Sequence, residues 1–134
     1  MIAELDLTVG LWTAGSYAAG DDRVLVSVTD FHVARVRDLP TVWIEGLRLS
    51  RAWPTLPGAV GMWLWAKPLR RRSGSVSVWR SEDDLRNFVR WARHVAIMRR
   101  YRDAGELTSS SWFADRFDST QIWAAARTQL TVGG

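Results

Sequence analysis

Residues 73–101, SGSVSVWRSEDDLRNFVRWARHVAIMRRY, contain the change of hydrophobic period that decides the fold. Ser75, Ser77 and Trp79 alternate with Val76 and Val78, the period of two that marks a strand. Ser81 with acids over the next three positions then reads as a capping box, the start of a helix. Beyond it, apolar residues recur every three or four positions. Leu85, Phe88, Val89, Ala92, Val95 and Ala96 fall on one stripe, while Trp91, His94, Met98 and Tyr101 fall on a second, roughly opposite. Arg86, Arg90, Arg93 and Arg100 lie between them and are expected to face water. The spacing predicts one long helix ending near Ala104, with Gly105 as its C-cap. Two apolar stripes on one helix require a second cover: a subunit, the C-terminal helix or a ligand.

Working outward, Ile2 to Leu11 alternate as a strand, and residues 13–22, TAGSYAAGDD, read as a loop. Residues 23–33, RVLVSVTDFHV, are rich in β-branched side chains and predict a strand. Asp38 and Pro40 open a helix that ends before Pro54. GMWLWAKPL (61–69) is a further strand, followed by a turn at RRRSG (70–74), and LTSSSWFADRF (107–117) is the last strand. Asp118 and Gln121 repeat the capping pattern ahead of a short helix, STQIWAAARTQL (119–130). From Arg23 the order is β-α-β-β-α-β, a ferredoxin-like α+β fold, with an extra N-terminal strand and a short C-terminal helix. Residues 1–134 are expected to form a single domain with its core at about 23–117. Such a sheet has helices on one face only, so its other face needs a cover, commonly a second copy of the same sheet.

Composition narrows the classes. The 134 residues are 47% apolar and 24% charged, ordinary values for a globular chain. No apolar run approaches the roughly 18 residues of a membrane span. The opening MIAELDLTVGL has no basic region of the kind a secretory signal needs, so the expectation is a cytoplasmic protein without a membrane partner. The absence of cysteine excludes disulfides and thiolate chemistry. Lys67 is the only lysine among eighteen basic residues. The two arginine clusters, Arg70–Arg72 in a turn and Arg99, Arg100 and Arg102 at a helix C-terminus, have structural explanations, so nucleic acid is not an expected partner.

Chemistry-bearing residues are few. His94 stands among aromatics on its helix and is a candidate acid/base or ligand contact, or equally a histidine satisfied at a packing seam. Asp30 and His32 share a strand face at i, i+2, where a carboxylate can fix an imidazole's tautomer. Among the nine tryptophans, Trp63 and Trp65 share a face with Lys67, and Trp79 shares one with Ser75 and Ser77. With Trp91, Met98, Tyr101 and Trp112, these residues suit the lining of a pocket for a flat hydrophobic small molecule. They also suit the filling of a sheet-to-sheet dimer core. There is no phosphate-binding glycine loop and no G-x-S-x-G elbow, and two histidines without cysteine cannot build a structural zinc site.

SVSVWRSEDDLRNFVRWARHVAIMRR (75–100) resembles the stretch of the dimeric α+β barrel superfamily that links the third core strand to the second helix. Antibiotic-biosynthesis-monooxygenase-like proteins belong to that superfamily. The matching pattern is W-x-S-x-E-x-L-x-x-F…H-x-x-x-M-R, carried here by Trp79, Ser81, Asp83 or Asp84, Leu85, Phe88, His94, Met98 and Arg99. Pro57, Gly58, Gly61, Trp79, Ser81, Phe88 and His94 are also similar in layout to spheroidene-type monooxygenases. The resemblance implies a homodimer formed through the open sheet face and a ligand cavity between sheet and helices. It further implies monooxygenase-like chemistry without a cofactor, or haem chemistry, or ligand binding alone. Haem-degrading members use a helix tryptophan where Phe88 stands, and a histidine farther along the helix than His94. That departure argues against haem degradation and leaves haem binding through His94 as an alternative.

Overall fold

Strand β3 (Ala59–Lys67) is buried along its whole length, with large side chains on both sides. Such a strand must sit inside a sheet that is covered on both faces. The computed structural model describes residues 9–132. In it, β1 (Val9–Ala14), β2 (Val24–Val33), β3, β4 (Arg72–Trp79) and β5 (Gly105–Ala114) form one antiparallel sheet in the order β1-β3-β4-β2-β5. Helices α1 (Leu39–Ser50), α2 (Glu82–Arg90) and α3 (Ala92–Tyr101) lie on one side, and α4 (Ser119–Val132) packs on the other. From β2 onward this is the ferredoxin-like β-α-β-β-α-β arrangement, extended by β1 alongside β3. The expected first strand falls partly outside the described residues, at Ile2 to Thr8. Its described part pairs with β3 and runs on through Ala14, into the stretch read as a loop. No helix among the described residues is long and apolar enough to cross a membrane.

Register divides the side chains between two cores. Trp63 stands opposite Val76, and Met62 opposite Ser77. One face therefore collects Val24, Val26, Val28, Trp63, Trp65, Val76 and Val78. Ile122, Ala126 and Leu130, spaced by one helical turn along α4, close over it. Asp118 caps this helix by accepting from the Gln121 N–H at 3.2 Å. The face expected to receive a second sheet is thus covered by the chain's own C-terminal helix. The other face collects Leu25, Met62, Leu64 and Trp79 beneath Trp53, Leu85 and Phe88.

Two expectations are corrected. The long helix breaks at Trp91, whose backbone is extended (φ −61°, ψ 131°), so α2 and α3 are separate helices. Neither proline nor glycine causes the break. Phe88 is held between Trp53 and Trp79, with ring centroids 4.9 and 5.2 Å away, and tertiary packing overrides local helix propensity. Beyond the break α3 ties back to α1, where Arg100 donates to Glu45 at 3.0 Å and Arg93 to the Arg48 carbonyl at 3.1 Å. Gly105 is not a left-handed cap, since it opens β5 without a positive φ. A Cβ there would lie 2.1 Å from the His32 carbonyl oxygen, so the residue serves close approach to β2.

Gly105→Ala and Gly105→Asn should therefore lose comparable stability, about 1–3 kcal/mol each, because the obstacle is a backbone atom. Urea unfolding measures this, and an asparagine variant as stable as wild type would restore the left-handed cap.

Candidate functional site

His94 lies at the break between α2 and α3. Its ring packs on Phe88 with centroids 4.5 Å apart, and Nδ1 is 3.1 Å from the Val89 carbonyl. A carbonyl only accepts, so the proton is placed on Nδ1, and the imidazole caps a carbonyl that the broken helix leaves without its usual partner. Burial lowers the His94 pKa, partly offset by this hydrogen bond. Trp79 and Trp91 join the same cluster through Phe88, at 5.2 and 6.4 Å. The structure thus brings His94, Trp79 and Trp91 together, though around a phenyl ring rather than an opening. Met98 is 37% exposed, since the break turns it away from this cluster. Tyr101 is half-buried, and its buried hydroxyl has no partner among the described residues.

Trp63, Trp65 and Trp112 lie on the opposite face of the sheet, in or against the α4 core, so no single wall unites them with Trp79. Trp63 packs between Trp12 and Trp123, at 4.5 and 5.5 Å. Of the hydroxyls on the Trp79 face, Ser77 satisfies an indole N–H, whereas Ser75 pairs with the Thr29 hydroxyl at 2.9 Å. Trp79 donates to Ser77 Oγ at 2.9 Å, and Trp65 to the Thr29 carbonyl at 3.2 Å. The Ser77 hydroxyl thus serves as the acceptor for a buried indole, whereas the buried Trp53 N–H has no partner among the described residues.

Asp30 and His32 share one face as expected but do not form a dyad. Arg72 intervenes, its Nε 3.1 Å from both Asp30 carboxylate oxygens and its Nη2 also paired with Asp30. The same Nη2 donates to the Leu130 carbonyl of α4 at 3.0 Å. Arg72 is almost fully buried, and the carboxylate is committed to it. His32 stands exposed between Arg72 and Glu106 on the neighbouring strands. These groups, with Arg70, Arg71 and Thr108, border a polar hollow of about 430 Å³ at one end of the sheet.

A second cavity, of about 330 Å³, lies between α2 and the β2–β5 half of the sheet. Its floor is Leu25, Ser111 and Phe113, and its roof is Leu85 and Val89. Ser81 starts α2 above it by accepting from the Asp84 N–H at 3.2 Å, and the buried Asp84 carboxylate holds Arg80 at 3.0 Å. Glu82, Arg86 and Arg90 form the mouth. Arg86 pairs with Glu82 at 2.6 Å, whereas Arg90 has no acidic partner among the described residues. The Arg23 guanidinium stacks over Phe113 at 4.0 Å. None of the tryptophans lines this cavity. Sequence reasoning missed Phe113, Ser111 and Arg90. The signal was the alternation of β5, which places Ser109, Ser111 and Phe113 on the helix face, where short side chains leave space.

His94 lines neither cavity, and its Nδ1 is engaged by a backbone carbonyl. The hydrogen bond from Nδ1 leaves Nε2 free, but neither cavity presents that ring to a haem.

No protein-family model and no curated protein matches the chain. Among solved structures it is similar to a candidate monooxygenase from Lactobacillus acidophilus, with 10% identity and a TM-score of 0.59, over 80% of this chain and 49% of that one. SnoaB, a cofactor-independent oxygenase from Streptomyces nogalater, is similar at 16% identity and a TM-score of 0.54, over 69% of this chain and 93% of that one. A haem-degrading enzyme from Listeria monocytogenes is similar at 14% identity and a TM-score of 0.55, over 74% and 65%. The chain spans about half the length of the Lactobacillus acidophilus protein and of a similar one from Fusobacterium nucleatum (49% and 48%). The ferredoxin-like fold is shared with an uncharacterised protein from Listeria monocytogenes related to antibiotic biosynthesis monooxygenases, at 14% identity and a TM-score of 0.55, over 81% of this chain and 62% of that one.

Two predictions follow the titratable groups. Asp30→Asn leaves Arg72 buried without its counter-charge and should cost about 2–3 kcal/mol by urea unfolding. The double change Asp30→Leu with Arg72→Met should recover most of that loss. His94 is neutral in the fold and binds protons more readily when unfolded. Its contribution to stability is thus intact above about pH 6.5, declines as pH falls below that value, and levels off beneath the lowered native pKa. His94→Gln should flatten the melting-temperature profile between pH 7.5 and 5, and an unchanged profile would contradict the assignment.

Proposed function

We propose that this chain binds a hydrophobic small molecule carrying an anionic or acidic oxygen, held in the cavity between α2 and strands β2 and β5. The carrying observation is the apolar floor and roof of Leu25, Leu85, Val89 and Phe113 beside Arg90, a cation with no acidic partner among the described residues. Apolar walls with one convergent charge suit an amphipathic ligand. Similarity to a cofactor-independent oxygenase supports monooxygenase-like chemistry as the enzymatic form of this reading. Such chemistry asks the protein to favour the anion of a bound phenol or enol and to keep water away. A guanidinium beside an apolar floor favours the anion by simple charge proximity. His94, His32 and Asp30 do not reach this cavity, so non-catalytic binding at the same place is the second reading.

Titration with 1-anilinonaphthalene-8-sulfonate, an aromatic anion, should show saturable binding. Val89→Trp, which fills the roof, should weaken it at least about tenfold, or ~1.4 kcal/mol. Arg90→Ala should weaken the sulfonate probe and spare neutral N-phenylnaphthylamine. Unchanged affinity in a folded Val89→Trp variant would reject the cavity as the site. Oxygen uptake with hydroxyaromatic substrates separates the enzymatic reading from the binding one.

A further inference from the structure

Among the described residues, strand β5 is a sparsely protected edge strand. Its ten residues, GELTSSSWFA, pair with β2 without a bulge, contain no proline and carry one charge, at Glu106. Charge, proline and bulges are the devices that keep a free edge from pairing. Leu107 and Phe113 on its helix-side face are 44% and 48% exposed. Among the described residues no strand pairs with its outer edge.

The geometry points to a second copy of this chain as the occupant of that edge, in an antiparallel β5–β5 pair centred on Ser110. A two-fold axis normal to the sheet keeps each face on its own side, so only residues of the same face can stand opposite one another. Of the registers this allows, the one on Ser110 places Leu107 opposite Phe113 of the second copy, and Phe113 opposite its Leu107. Both exposed apolar residues are then matched twice over. Glu106 falls opposite Ala114, so no like charges meet. Centring on Ser109 would leave Phe113 against Gly105, and centring on Ser111 would leave Leu107 without a partner.

This pairing also completes the cavity, a consequence that rests on the reading proposed above. Ser111 and Phe113 form part of its floor. Ser109 and Leu107 of the second copy would continue that floor about 4.8 Å away on the same face. The two cavities would then open toward each other across the axis. The surface differs from the open-face dimer that the resemblance implied, because α4 covers that face.

Sedimentation equilibrium should give twice the chain mass of 15.2 kDa. Leu107→Lys should shift the protein to monomer, raising the dissociation constant at least about a hundredfold, with circular dichroism unchanged. Because the chain has no cysteine, Ser110→Cys supplies a clean cross-link. Directly opposed strand residues have Cα atoms about 4.5–5.5 Å apart, within disulfide reach, so mild oxidation should link the dimer. Glu106→Cys, facing Ala114, should stay unlinked. A wild-type monomer overturns the proposal. So does a dimer in which Ser110→Cys stays unlinked, or one that Leu107→Lys leaves intact. Probe binding separates the two proposals: a monomer that binds the sulfonate fails the pairing alone, and a cross-linked dimer that does not bind fails the cavity alone.

Discussion

Strands β3 and β4 must be hidden on both faces, and the rest of the molecule is arranged around that need. Trp63 and Trp65 project to one side of β3, Met62 and Leu64 to the other, so a single helical layer cannot bury them. The chain answers with α1 and α2 on one face and with α4 on the other. The tryptophans are largely the filling of these two layers. Each large ring removes much apolar area from water, and its N–H finds a nearby acceptor where one is built in, as for Trp65 and Trp79.

The helix side is organised by one phenyl ring. Phe88 sits against Trp53, Trp79, Trp91 and His94, which pins the end of α2 and forces the change of direction at Trp91. The other end of α2 is pinned by the cap at Ser81 and by Asp84, whose carboxylate meets Arg80 and the close-packed Gly58. Between these fixed points Leu85 and Val89 pass over the β5 side of the sheet. There Ser111 offers only a short side chain, so a helix held at its ends cannot settle onto it. The cavity is the space that remains.

Charge is distributed by the same logic. Arg72, Arg80, Arg86 and Arg100 each meet a carboxylate, and Arg71 and Arg93 meet backbone carbonyls. Part of the arginine-rich composition is therefore absorbed within the fold. Arg90 has no acidic partner among the described residues, and it stands at the mouth of the cavity. Asp30 looked available to His32 from its spacing, but the buried Arg72 guanidinium, lying diagonally across the strand pair, outbids the imidazole in charge and in hydrogen bonds.

Local pattern was enough to determine the order of strands and helices, the alternation of faces along β2, β3 and β4, and the caps at Ser81 and Asp118. Those features depend on neighbours a few residues apart, whose periodicity and hydrogen bonding are written in the chain. The break at Trp91, the role of Gly105 and the commitment of Asp30 to Arg72 depend on atoms far away in sequence. So does the closure of the second face by α4. The site belongs to this second group. Leu25, Val89, Arg90 and Phe113 share no motif, and only the pairing of β2 with β5 beneath a pinned α2 brings them together.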